Sequence, residues 1–254
     1  RLPTPPLAIG EGSCRTPFVA RSLVNVSGMS FGAISEPAVR ALSRGAQAAG
    51  CWMDTGEGGL SPFHLEGGCD VIMQIGTARY GVRDANGEYD NAKIREIAAH
   101  ENVRAFEIKL SQGAKPGKGG VLPGGKVTPL IASIRGIPAG SDSISPNRHR
   151  DIASMDDLLD RIAWLRDLTG KPVGIKTAVG GRYFATELCE RILARGADAA
   201  PDFFAVDGGE GGSGAAPQAL ADHVGLSIDE ALPRVVDAVA AAGLRGRIRI
   251  IASG

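Results

Sequence analysis

A lysine inside an apolar run is the first residue of this sequence that asks for a chemical explanation. Lys176 stands in Pro172-Val173-Gly174-Ile175-Lys176, a run with the composition of a buried strand. A cation there needs a core carboxylate as its partner, or the electron-rich edge of a bound ring. Lys109, in Glu107-Ile108-Lys109-Leu110, repeats the pattern. Strand alternation puts Glu107 and Lys109 on one face, where they can form a structural pair. Glu57 lies between glycines in Gly56-Glu57-Gly58-Gly59, and Lys115, Lys118, Lys126 and Arg135 cluster around a second glycine-rich stretch, Gly113 to Gly125. Of the four histidines, His64, His100 and His223 read as surface or loop residues. His149, in Ser145-Pro146-Asn147-Arg148-His149-Arg150-Asp151, fits a site role and a capping or packing role equally well.

The elements that must position these groups alternate in type. Short β-rich runs at Val24–Val26, Trp52–Thr55, Val71–Ile75, Ala105–Ser111, Pro172–Thr177, Phe203–Val206 and Ile248–Ile251 are separated by helical patterns. A helix is expected from a Ser35 cap to a Gly50 stop, and another from Ala92 to His100. The best signalled runs over Asp156–Thr169, with Ser154 as cap and Gly170 as stop. A further helix covers Ala185–Ala194, and the last ends near Gly243, with Pro233 expected to kink or restart it. Ser141–Ser145 reads as a loop excursion, and residues 1–23 as a proline-rich lead-in that packs over a core. Strand–helix alternation of this length implies a parallel sheet in one domain over residues 1–254.

Glycine placement decides the architecture. Three glycine-rich loops, Gly56–Gly59, Gly113–Gly125 and Gly208–Gly214, follow strands, and in (β/α) barrels the loops after the strands form the ligand face. The reading is an α/β fold, a TIM (β/α)8 barrel truncated after strand seven. Glycine lets backbone N–H groups approach a flat or anionic ligand, so several such loops around one mouth suggest a large phosphorylated ligand such as flavin mononucleotide (FMN). Lys176 would then hold the N1–C2=O edge of the reduced ring.

Composition supports a folded enzyme-sized chain and excludes several alternatives. The 254 residues carry 28 basic and 28 acidic side chains and are 43% apolar. That balance argues against a nucleic-acid binder and against disorder. Thirty-six glycines without a G-X-Y period exclude collagen. Cys14, Cys51, Cys69 and Cys189 lack metal or disulfide-framework spacing, which fits idle thiols in a reducing, cytoplasmic setting. No apolar run reaches the length of a membrane span. The start at Arg1 and the stop at Gly254 after a strand suggest an excerpt, so an anchor would lie outside it. Gly209 to Gly214 satisfies G-x-G-x-x-G, but the next strand ends in Ala252 and Ser253 without the acid a ribose needs. Gly120 to Lys126 satisfies G-x-x-x-x-G-K, but Val127 stands where a phosphate loop has Ser or Thr.

Together these segments resemble the FMN-binding synthase domain of glutamate synthase. The likeness rests on Gly28-Met29-Ser30-Phe31-Gly32-Ala33, Thr55-Gly56-Glu57-Gly58-Gly59, Gln112 to Gly120, and Gly211-Gly212-Ser213-Gly214-Ala215-Ala216-Pro217, in that order. Gln74 with Arg79-Tyr80-Gly81, and Ile144-Ser145-Pro146 with His149 and Asp151, add to it. It runs from about residue 17 onward and is greatest to the stand-alone FMN-binding glutamate-synthase-related proteins. The resemblance implies a TIM barrel with FMN across its mouth, whose reduced form delivers a hydride to 2-iminoglutarate, formed from 2-oxoglutarate and ammonia, to give L-glutamate. It implies Glu57, Lys115 and Arg135 at the substrate, with Lys115 and Arg135 on its carboxylates and Glu57 near the imine nitrogen. Met29, Ser30, Gln74 and Lys176 would face the flavin ring, and Gly208, Gly211, Gly212, Gly214 and Gly254 the ribityl-phosphate side.

Departures qualify this. Val121 replaces a glutamine that helps hold 2-oxoglutarate, Gly209 and Glu210 replace a His-Asp pair, and Ala252 replaces an aspartate of the phosphate loop. The cysteines of the family's iron–sulfur cluster have no counterpart here, so a cluster would come only through segments beyond this chain, and no metal site is expected. Without a glutaminase domain, ammonia or a small amine would serve as nitrogen source, with electrons from ferredoxin or a reductase subunit. A homo-oligomer is compatible with this reading. The alternative is a non-catalytic flavin-binding or regulatory subunit of a larger complex.

Overall fold

The computed structural model describes residues 6–181, 183–212, 216–221 and 223–254. The lead-in forms an antiparallel hairpin, β1 (Leu7–Ile9) with β2 (Phe18–Ala20). Then follow α1 (Glu36–Ala49), β3 (Met53–Asp54), α2 (Pro62–Glu66), β4 (Val71–Ile75), α3 (Asn91–Ala99) and β5 (Val103–Lys109). A second, two-residue hairpin pairs β6 (Val121–Leu122) with β7 (Ser143–Ile144) across α4 (Pro129–Arg135). The chain continues through α5 (Met155–Thr169), β8 (Val173–Ala178), α6 (Phe184–Arg195), β9 (Phe203–Asp207), α7 (Ile228–Ala241) and β10 (Arg249–Ser253).

Six strands form one parallel sheet in the order β10-β9-β8-β5-β4-β3. Val26 extends it by a single parallel bridge to Met53. The sheet curls into an incomplete (β/α)8 barrel with seven strand positions, as the glycine placement indicates, but the first is one bridge rather than a strand. The segment Ser141–Ser145, expected as loop, contributes β7.

Ser35 stands at the N-cap of α1, but its side chain makes no capping hydrogen bond; the other helix signals act as their chemistry requires. Gly50 and Gly170 close α1 and α5 with φ of 68° and 72°, the left-handed conformation in which a side chain is strained. Ser154 and Asp157 form a reciprocal capping box at the start of α5. Of the kink or restart expected at Pro233, the restart does not occur: α7 continues through it as one helix. Pro233 lies in the second turn, where the ring costs only the bond to the Asp229 carbonyl, and the apolar face of Ala231, Val235 and Val239 stays buried on both sides of it.

Two clusters make the core. The larger lies between the strands and the helices that cover them, around Val71, Met73, Phe106, Ile108, Leu159 and Ile175. The smaller fills the floor of the barrel, where Ile9, Phe18 and Ala20 of the first hairpin meet Trp52, Ile72, Ala105 and Phe203. Asp202, fully buried beside this floor, accepts bonds from Arg166 at 3.1 Å, Arg247 at 2.9 Å, the Val173 N–H at 2.7 Å and the Ser13 hydroxyl. Gly174 opposes Glu107 across β5 and β8, and a Cβ there would collide with the ring of Phe203. Gly174→Ala is therefore expected to lower stability by about 1–3 kcal/mol through overpacking, as read by urea denaturation; an unchanged midpoint would show that the floor is loosely packed.

Candidate active site

The mouth is built at the carboxyl ends of the strands. Register brings Gln74 of β4 opposite Glu107 of β5, and the Gln74 Nε2 donates to Glu107 Oε1 at 2.7 Å. Lys176 lies 3.2 Å from Asp207 of β9. Asp207 also accepts the Ser253 hydroxyl and the Gly113 N–H, each at 2.7 Å. Burial works against the Lys176 charge, but the surrounding carboxyls of Glu107, Asp207 and Asp54 prevail and raise its pKa above the ordinary lysine value. The core-carboxylate reading of Lys176 is thus realised in Asp207. The open seam of the incomplete barrel, between Val24–Gly28 and Ile251–Ser253, leaves Asp54, Glu107 and Lys176 facing the space that an eighth strand position would adjoin.

Met29 and Ser30 form the rim next to it. The Met29 N–H donates to the Asp54 carbonyl at 3.1 Å, and its own carbonyl lies 2.9 Å from His64 Nε2. His64 Nδ1 accepts the Ser61 N–H at 3.1 Å, so the ring proton belongs on Nε2, where it holds the Met29 carbonyl. His64 is fully buried, contrary to the surface expectation, and burial pushes its pKa down. The Ser30 hydroxyl accepts the Gly58 N–H at 2.9 Å, tying this rim to the Glu57 loop. Gly56, at φ 65°, has room for no side chain, since a Cβ would lie 2.6 Å from the Ser30 nitrogen.

Glu57, Lys115 and Arg135 come together on the far side of that loop. Glu57 pairs with Lys109 at 3.1 Å, and Lys109 also donates to Gln112 Oε1 at 3.1 Å. Lys109 therefore belongs to the site and is not the partner of Glu107. Burial opposes the Glu57 charge, yet Lys109 above all, then Lys115 and Arg135, hold its carboxyl below the usual range. Lys115 and Arg135 are 7% and 6% exposed, and among the described residues neither has a carboxylate at ion-pair distance. Arg135 donates to the Ser143 hydroxyl at 2.9 Å and the Phe31 carbonyl at 3.3 Å, and its buried Nε has no partner. Burial lowers the pKa of both cations; the guanidinium stays charged regardless. Lys118 and Lys126 are exposed.

The neighbouring loops are locked by polar ties. His149 is buried and its Nε2 lies 2.9 Å from the Lys109 carbonyl, at the end of β5. Thr77 donates to the Pro146 carbonyl at 2.6 Å, and Arg79 bridges Asp151 at 2.5 Å and Glu88 at 2.7 Å. Arg79 holds φ 56°, the one non-glycine residue among those described with a positive value; its ion pairs offset the cost of that conformation.

In the loop after β9, Gly208 donates its N–H to the Ser253 carbonyl and Gly211 to the Gly208 carbonyl, both at 2.8 Å. Cβ atoms at Gly211 and Gly212 would press on Gly254 and Ala114, so these glycines allow close loop packing. Gly214 lies outside the described residues. Val121, opposite Ile144 on the second hairpin, is half exposed. Cys14, Cys51, Cys69 and Cys189 are free thiols, no metal-binding cluster is present among the described residues, and none of their helices is long and apolar enough to cross a membrane.

The (β/α) barrel carries, at the carboxyl ends of its strands where such barrels hold their ligands, buried cations without an ion-pair partner among the described residues and a glutamate beside them. The chain belongs to the family defined by the conserved region in glutamate synthase, whose profile matches residues 4–254. It is 45% identical over 247 residues to a glutamate synthase large subunit-like protein of Bacillus subtilis, covering 97% of this chain and 46% of that protein. It is 40% identical over 233 residues to an archaeal glutamate synthase [NADPH] of Methanocaldococcus jannaschii, covering 91% and 42%. It thus spans less than half the length of these relatives. Among solved structures, a flavocytochrome b2 variant with sulfite bound shares the fold, with a TM-score of 0.54 at 12% identity, over 93% of this chain and 52% of that one.

The Glu57–Lys109 pair can be tested directly. In Lys109→Met the Glu57 carboxyl should titrate at a higher pH than in the parent, as followed by carbon-13 chemical shifts; an unmoved titration would mean that Lys109 does not hold it.

Proposed function

We propose that the chain is the FMN-dependent catalytic domain of a glutamate-synthase-type oxidoreductase that reduces 2-iminoglutarate, formed from 2-oxoglutarate and ammonia or a small amine, to L-glutamate. The observation that carries this reading is the pair of buried cations, Lys115 and Arg135, with no carboxylate at ion-pair distance among the described residues, beside Glu57, whose carboxyl is held below the usual range. Buried charge without a counter-ion is costly, and a substrate with two carboxylates supplies two counter-ions at once.

The fit to FMN is supported by the donors that β4 and β8 present together, the Gln74 amide and the Lys176 ammonium, both buried, and by Gly28, where a Cβ would lie 3.2 Å from Gln74 Nε2. Met29, Ser30, Gln74 and Lys176 would hold the ring, and Gly208, Gly211, Gly212, Gly214 and Gly254 would border the ribityl phosphate. When bound, FMN supplies the hydride. Lys115 and Arg135 fix the substrate carboxylates, Arg135 through its planar fork and Lys115 as a point charge. Glu57, kept ionised by Lys109, accepts a hydrogen bond from the protonated imine nitrogen and so holds the positive charge that makes the adjacent carbon a hydride acceptor. Lys176 would face the ring and supply positive charge to its edge. Electrons would come from ferredoxin or a reductase subunit.

The test is stopped-flow reoxidation of the reduced, FMN-loaded protein. 2-Oxoglutarate with ammonia or methylamine should accelerate it, and Lys115→Ala should lower kcat/KM by roughly 100-fold or more while flavin content is unchanged. No acceleration by the substrate pair would leave a flavin-binding subunit without this catalysis.

A further inference from the structure

His149, 2% exposed, makes a single hydrogen bond. Its Nε2 lies 2.9 Å from the Lys109 carbonyl, and since a carbonyl only accepts, the ring carries its proton on Nε2. Nδ1 is then a buried acceptor without a partner among the described residues. A side chain kept there for packing alone would do better as a hydrocarbon, because a buried acceptor without a donor is costly. The Nε2–H is what the position uses, and it acts where sheet pairing stops. β5 pairs with β4 no further than Ile108 with Ile75, and with β8 no further than Lys109 with Lys176. Beyond that point the Lys109 side chain reaches Glu57 Oε2 and Gln112 Oε1, both at 3.1 Å. The segment that carries His149 is fixed independently. The Ser145 N–H donates to the Gly120 carbonyl at 2.8 Å, Thr77 holds the Pro146 carbonyl, and Asp151 lies between Arg79 at 2.5 Å and Arg161 at 2.6 Å. Pro146 and Asn147 of the same segment line one cleft with Glu57, Lys109 and Lys115.

We propose that His149 is a positioning residue: its Nε2–H ends β5 in place of a strand neighbour and so sets the Lys109 ammonium between Glu57 and Gln112. That the carboxylate so held takes part in catalysis rests on the proposed function. Lysine carries its charge on a flexible four-carbon stem, so its ammonium meets one chosen carboxylate reliably only if the backbone beneath it is held. At the end of a strand that hold is weakest, because one neighbour has already stopped. His149 supplies it from 40 positions away, out of a segment that other ties fix on both sides. Burial pushes the pKa of the ring down, and Arg79 and Arg161 act in the same direction. A neutral donor steadies the strand end without adding a further positive charge to a mouth that already holds Lys109, Lys115 and Arg135.

The test follows the Glu57 carboxyl by carbon-13 shifts in the purified chain. His149→Phe keeps a ring in place and removes the N–H. It should move the Glu57 titration to higher pH by up to about one pH unit, in the direction of Lys109→Met and no further than that variant moves it. Added to Lys109→Met, it should change nothing more. His149→Gln, whose amide N–H can reach the same carbonyl, should restore the parent titration. A Glu57 titration unmoved by His149→Phe, moved as far again in the Lys109→Met background, or not restored by glutamine overturns the proposal. Should His149→Phe fail to fold, His149→Asn, whose shorter amide stops short of the carbonyl, takes its place. The parent gives a reading that needs no variant: nitrogen-15 shifts should show the His149 proton on Nε2, and a proton on Nδ1 overturns the proposal. None of these measurements uses turnover, so a failed reoxidation assay strikes the proposed function and leaves His149 to the titrations.

Discussion

Charge burial is the constraint on which this barrel is organised. A side-chain charge taken from water must find a counter-charge or a full set of hydrogen bonds, and most of those inside the molecule do. Lys176 finds Asp207, Lys109 finds Glu57, and Arg166 and Arg247 converge on Asp202. Against that pattern Lys115 and Arg135 stand out as buried cations held by neutral groups or by none. The folded state tolerates them because they lie at the mouth, where a ligand can complete them. The strand register that aligns Gln74 with Glu107 and Lys109 with Lys176 is therefore electrostatic layout as much as sheet geometry.

Rigidity of the rim follows from polar ties between loops that are far apart in sequence. Ser30 binds the Glu57 loop, His64 binds the Met29 carbonyl, His149 binds the end of β5, and Arg79 binds Asp151. At His64 and Arg79 the tying group makes further bonds of its own, which fixes orientation as well as position. Glycine completes the effect. At Gly76 and Gly120 a Cβ would run into the Glu57 side chain, so their absence of side chains is what lets the carboxylate occupy its place.

Much of this was legible in the residues alone. The caps at Ser154 and the stops at Gly50 and Gly170 act locally, and the alternation of strands and helices is a local pattern repeated. What escaped was non-local. Period-two alternation shows that Lys109 shares a face with Glu107, but not that Glu57, 52 positions earlier, is the partner. His64 lies in a five-residue helix too short to show a buried face, and only the Ser61–His64 capping pattern could have flagged it. Pro233 was expected to interrupt α7; one missing backbone bond near a helix start is outweighed by the buried face that follows.

The floor of the barrel joins parts of the chain that are made far apart in time. Ile9 and Phe18 pack against Phe203, the Ala8 carbonyl accepts from Arg249 at 2.8 Å, and Ser13 reaches Asp202. During synthesis the first hairpin can meet Trp52, Ile72 and Ala105 as they emerge, but its contacts with Phe203, Asp202 and Arg249 wait for β9 and β10. Until then the floor stays open on the side that β9 and β10 complete, so the first and last described strands of the chain close the barrel bottom together.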